Sequence, residues 1–192
     1  MNREIYEKYA RLVLEGGVNL AEGQSLRVVA EPIHWEFINI LEETAYKMGA
    51  KFVRCDLEHP RSVVNRSKYM KDEYLSSLPG YFEKTIDTYV EEGWAIMRFD
   101  GAEDPELMSQ VDQKRNAPIV KASREAAKPL QAAAMSGKCR WNVAGLPTPK
   151  WAAKVMGGEA NQKTFEDFWK VMIPIMRLDH DDPVEAWKEH SK

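Results

Sequence analysis

Four histidines and two cysteines are the side chains of this sequence best suited to metal binding or nucleophilic attack, so their spacing comes first. His34, His59, His180 and His190 form neither an HExxH motif nor an HxH pair. Asp179-His180-Asp181-Asp182 is the densest run of ligand-type residues. Carboxylates and imidazole suit Zn²⁺, Mn²⁺ or Co²⁺. Neighbours on an extended segment point in different directions, however, and Asp182 before Pro183 is better explained as a helix N-cap. His34 and Glu36 follow a predicted strand, where a substrate contact or a histidine at a helix start are the two readings; the second is favoured. Cys55, between Arg54 and Asp56, would need His59 as its base to act as a nucleophile, and a strand cysteine is more often packing. Cys139 beside Arg140 has the setting for a lowered pKa, but nothing else supports reactivity. Asp100-Gly101-Ala102-Glu103-Asp104 lacks the alternating ligands and distant Glu of a calcium loop and reads as a turn and cap. There is no GxxxxGK[ST] and no GxSxG. The residues alone therefore assign no catalytic, metal-binding or cofactor-binding side chain. Of the six tryptophans, Trp141, Trp151, Trp169 and Trp187 lie in the last third. They suit either helix packing or an interface, where aromatic residues are enriched.

The elements that would position these residues follow from periodicity. A helix is expected from about Asn2 to Glu15, with Ile5, Tyr9, Leu12 and Val13 on one face, ended by Gly16-Gly17. Ser25–Ala30 reads as a first strand, and a helix starting at Pro32 ends at Gly49. Lys51–Leu57 reads as a second strand, completing a unit of βαβ size. A short edge strand fits Ser62–Asn65. Glu73–Glu92 reads as helix in two pieces broken near Pro79-Gly80, and Trp94–Phe99 as a third strand. Asp104-Pro105-Glu106 has the pattern of a helix start. A long helix over Asp112–Met135 must kink or break at Pro118 and Pro129. Arg140–Ala144 is a fourth strand. Helices are then expected from Thr148-Pro149, from a Thr164-x-x-Asp167 capping box, and from Asp182-Pro183. Strands separated by helices imply an α/β fold: a mainly parallel, doubly wound sheet of about four to five strands with helices on both faces, plus a C-terminal helical extension. Residues 1–192 are expected to form a single α/β domain. The first strand–helix turn, VVAEPIHW, lacks the glycines that a dinucleotide pyrophosphate requires.

Composition narrows the function. The chain has 192 residues, is 44% hydrophobic and 30% charged, and carries a net charge of −3 with both signs mixed. That balance argues against nucleic-acid binding. No stretch approaches the roughly 18 apolar residues of a membrane span. The opening MNREIYEKYARLVLEGG has no apolar region of secretory type. Two distant cysteines exclude a metal knuckle or CxxC motif and argue against a disulfide framework, and a reducing cytoplasm is the expected compartment.

One ordered series does point to a family. It runs Arg140-Trp141, Pro147-Thr148-Pro149-x-Trp151-Ala152, Phe168-Trp169, Arg177-Leu178-Asp179 and Asp182-Pro183-x-x-Ala186-Trp187-x-x-His190. Earlier come Tyr9-Ala10-x-Leu12, Gly17-Val18-Asn19-Leu20-x-x-Gly23-Gln24, Ala45-Tyr46-x-x-Gly49-Ala50 and Asp104-Pro105-Glu106-Leu107. Together these resemble the N-terminal domain of the aminopeptidase T family, the thermophilic-type metallo-aminopeptidases that include aminopeptidase S. No single motif is specific; the order is. The resemblance implies an exopeptidase that removes N-terminal amino acids, often hydrophobic ones, with two divalent ions (zinc, cobalt or magnesium), as a cytoplasmic homodimer acting on peptides. It also implies that the metal ligands belong to a C-terminal domain beginning after His190, so no ligand is assigned to this chain, which alone is expected to be inactive. Two other readings remain: a standalone dimerisation or partner-binding domain, and the N-terminal half of an iron-dependent dihydroxypyridine dioxygenase.

Overall fold

Four segments rich in β-branched and apolar residues pair into one sheet in the computed structural model, which describes residues 2–191. They are β1 (Ser25–Ala30), β2 (Phe52–Leu57), β3 (Ala95–Asp100) and β4 (Trp141–Gly145). All three pairings are parallel, in the order β2-β1-β3-β4. β1 is buried along most of its length, with Leu26 and Val28 fully covered. Such continuous burial is the pattern of an inner parallel strand. The chain adds β2 on one side of β1 and then β3 on the other. The order reverses between β1 and β3, the position where open α/β sheets commonly bind ligands. The expected α/β fold with a parallel sheet is what the chain adopts.

The chain folds as two units, each packed mainly on itself. The first comprises Met1–Leu57, Ala95–Pro105 and Trp141–Lys192, and holds the sheet. Its helices are α1 (Arg3–Arg11), α2 (Trp35–Lys47), α7 (Pro149–Met156), α8 (Gln162–Ile175) and α9 (Pro183–His190). Asn2 caps α1 by accepting from the Glu4 amide at 3.0 Å. The helix then widens into a π-helical segment, Leu12–Gly17, in which Val18 N–H reaches the Val13 carbonyl at 2.8 Å. The wider turn lets three successive residues, Leu12, Val13 and Leu14, all bury. The core centres on an aromatic cluster. Phe37 lies 5.3 Å from Tyr6, 5.3 Å from Tyr9 and 5.2 Å from Phe99, and Trp169 lies 5.7 Å from Tyr6. These are edge-to-face and tilted separations, which aromatic quadrupoles favour.

The second unit comprises Glu58–Trp94 and Glu106–Arg140. It contains α3 (Arg61–Tyr69), α4 (Tyr81–Glu91), α5 (Gln113–Ala126) and α6 (Lys128–Met135). Val64, Leu107 and Val111 form its small apolar core. Arg115 ties it together, donating to the Ser67 carbonyl at 2.7 Å and also engaging Asp72 and the Met70 carbonyl.

Three local expectations fail for identifiable reasons. Ser62–Asn65 is helical, not a strand: Val64 turns toward Leu107 and Val111, and the Ser67 hydroxyl donates to the Val64 carbonyl at 2.8 Å. No α-helix starts at Asp104-Pro105, where the Asp104 carboxylate pairs with Lys150 at 2.9 Å. Only a 3₁₀ turn, Leu107–Gln110, follows, and Asp112 caps the next helix instead. Finally, α8 begins earlier than the Thr164 pattern suggests. Asn161 is the cap, accepting from the Thr164 amide at 2.9 Å. The long helix breaks at one of its two prolines: α5 and α6 are separate, with Pro129 in the first turn of α6, whereas α5 runs on through Pro118 without a break.

Candidate functional site

The fold itself nominates the crevice beyond the C-terminal ends of β1 and β3. In this chain that crevice is filled by its own loops. His34 follows β1 in a 3₁₀ turn, and its Nε2 lies 2.8 Å from the Gly101 carbonyl after β3. The Glu31 carboxylate accepts from the Glu103 amide at 2.9 Å. Thr148 donates to the Ala102 carbonyl at 2.6 Å and accepts from the Trp151 amide at 3.3 Å, so it also caps α7. Gly101 allows the closure. A Cβ there would stand 1.8 Å from the Leu146 carbonyl oxygen and 3.2 Å from His34 Nε2. His34 is 5% exposed, and burial pushes its pKa down against the opposing Gly101 bond and Glu103 charge. It is a buried, pinned side chain that ties the loop after β1 to the loop after β3.

Open space lies elsewhere in the first unit. A cavity of about 620 Å³ sits beside the sheet edge, within the size range of small-ligand sites. It is walled by the π-helical segment, by Asn142–Gly145 of β4, by α8 and by α9. Met172, Met176, Val184 and Trp187 make it largely apolar, and Lys188 and Ser191 stand at it as polar groups. The Tyr9 hydroxyl donates to the Gly145 carbonyl at 2.6 Å, and burial raises the Tyr9 pKa, so the phenol keeps its proton. Gly17 lies close to β4: a Cβ there would meet the Asn142 carboxamide at 3.1 Å. No motif in the sequence marks this cavity. Its walls are separated by more than a hundred residues, and Gly16-Gly17 reads only as a helix end.

The residues singled out from sequence are dispersed. Trp141 is 56% exposed on β4. Trp187 is 37% exposed and lines the cavity; its indole donates to the Met176 carbonyl at 3.1 Å, and the Arg177 guanidinium lies 5.2 Å over its ring. Trp151 is half-buried against Phe168, and Trp169 is 1% exposed within the aromatic core. Cys55 is half-buried in β2, and its thiol is pushed up to about 11 by burial and by the carboxylates of Glu42 and Asp56. Cys139 is fully buried with its thiol 3.4 Å from the Tyr89 carbonyl. Burial raises its pKa despite Lys138, the reverse of the lowering its sequence neighbour suggested.

The acidic run after α8 likewise has structural work. Asp182 caps α9 by accepting from Val184 at 3.0 Å and Glu185 at 3.2 Å, and it pairs with Arg11 at 3.2 Å. Lys8 donates to the His180 carbonyl at 3.1 Å. Among the described residues no group of three or more His, Cys, Asp or Glu side chains is placed to hold a metal ion. The donor set of the described residues does not fit a two-metal centre.

Comparison with known proteins supplies the missing context. The profile of the thermophilic metalloprotease family M29 matches residues 2–192. The chain belongs to the M29 family. It is 31% identical to aminopeptidase 2 of Geobacillus stearothermophilus over 185 residues, which cover 96% of this chain and 45% of that protein. Aminopeptidase PepS of Streptococcus thermophilus is 28% identical, with 98% and 46% covered. The solved structure of wild-type AmpT from Thermus thermophilus superposes with a TM-score of 0.83 at 23% identity, covering 98% of this chain and 46% of that one. This M29 chain therefore spans a little under half the length of the relatives it matches. No helix among the described residues is long and apolar enough to cross a membrane.

Proposed function

We propose that this chain is the non-catalytic half of an M29 aminopeptidase, a domain that handles peptides while the metal-binding residues belong to the other half. The observation that carries this reading is the family match over residues 2–192, in a chain that spans only 45% to 46% of its aminopeptidase relatives. Asp182 of the acidic run is engaged in capping α9 and pairing with Arg11, and among the described residues no group of three or more His, Cys, Asp or Glu is placed to hold a metal ion.

The chemistry of this half is containment and positioning. The crevice at β1 and β3 is closed by His34, Glu31, Gly101 and Thr148, which fixes the loops after both strands. A rigid scaffold of this kind can present a wall to a substrate without touching the scissile bond. Peptides are the expected substrates of the complete enzyme, and zinc, cobalt or magnesium the expected ions.

The test uses the purified 192-residue chain with leucine p-nitroanilide and added Zn²⁺, Co²⁺ or Mg²⁺. The expected result is no release above the metal-only blank. Release of p-nitroaniline that a chelator abolishes would overturn the reading.

A further inference from the structure

We draw no further inference here: the strongest candidate, the exposed patch of Arg54, Arg98 and Trp141 on the sheet face turned away from the aromatic core, carries nothing, because Arg54 and Arg98 pair with Asp56 and Asp100 of their own strands at 2.8 Å and 3.0 Å and nothing in the structure shows what covers it.

Discussion

The His34 imidazole stands just after the first strand of an α/β sheet, where ligands dock, yet its Nε2 is closed on the Gly101 carbonyl at 2.8 Å and its pKa is depressed by burial. A folded-state pKa below the ordinary 6.5 means that the unfolded chain takes up the proton first. Stability is then complete above pH 6.5 and declines as the pH falls through that value. Urea midpoints at pH 8 and pH 5.5 should differ for wild type, and His34→Gln should lose the part of the difference due to this group. Gly101 gives a sharper test. A Cβ 1.8 Å from a backbone oxygen cannot be relieved by a rotamer change. Gly101→Ala should therefore lower stability by about 3 kcal/mol or more, measured by denaturant unfolding. Neither role is legible in the sequence, because the partner of His34 lies 67 residues away and the space it fills is fixed by the Leu146 backbone.

At the scale of elements, what is local is legible. All four strands lie within a residue of where the sequence reading places them, and helices that begin with a capping residue and proline, Thr148-Pro149 and Asp182-Pro183, start as the pattern says. What depends on distant partners is not. The Val63-Val64 pair looks like a strand, but Val64 becomes helical to meet Leu107 and Val111. The π-helical segment is invisible in a 3.6-residue period, and it shapes one wall of the cavity. Thr148 joins the two kinds of information, since its hydroxyl both caps α7 and holds the loop after β3. Thr148→Val keeps the shape and removes both bonds. It should cost about 1–3 kcal/mol in thermal or denaturant unfolding, whereas Thr148→Ser should cost less.

The whole molecule makes the functional assignment. No motif in the chain assigns a function by itself; the ordered series of Trp, Pro and Asp positions resembles one family, and the M29 match over residues 2–192 agrees with it. In the fold those positions are structural. Trp169 stacks among Tyr6, Tyr9 and Phe165, Pro149 and Pro183 open α7 and α9, and Asp182 links α9 to α1 through Arg11. These residues thus build the scaffold. Phe37 is the hub of that aromatic core, so Phe37→Ala should lose about 3–5 kcal/mol in denaturant unfolding. The proposed role stands or falls on whether this half holds a catalytic metal, and equilibrium titration of the chain with Zn²⁺ and Co²⁺ answers that. The expected result is no saturable site in the submicromolar range. A stoichiometric site of that affinity, lost on substitution of Asp179 or His180, would contradict it.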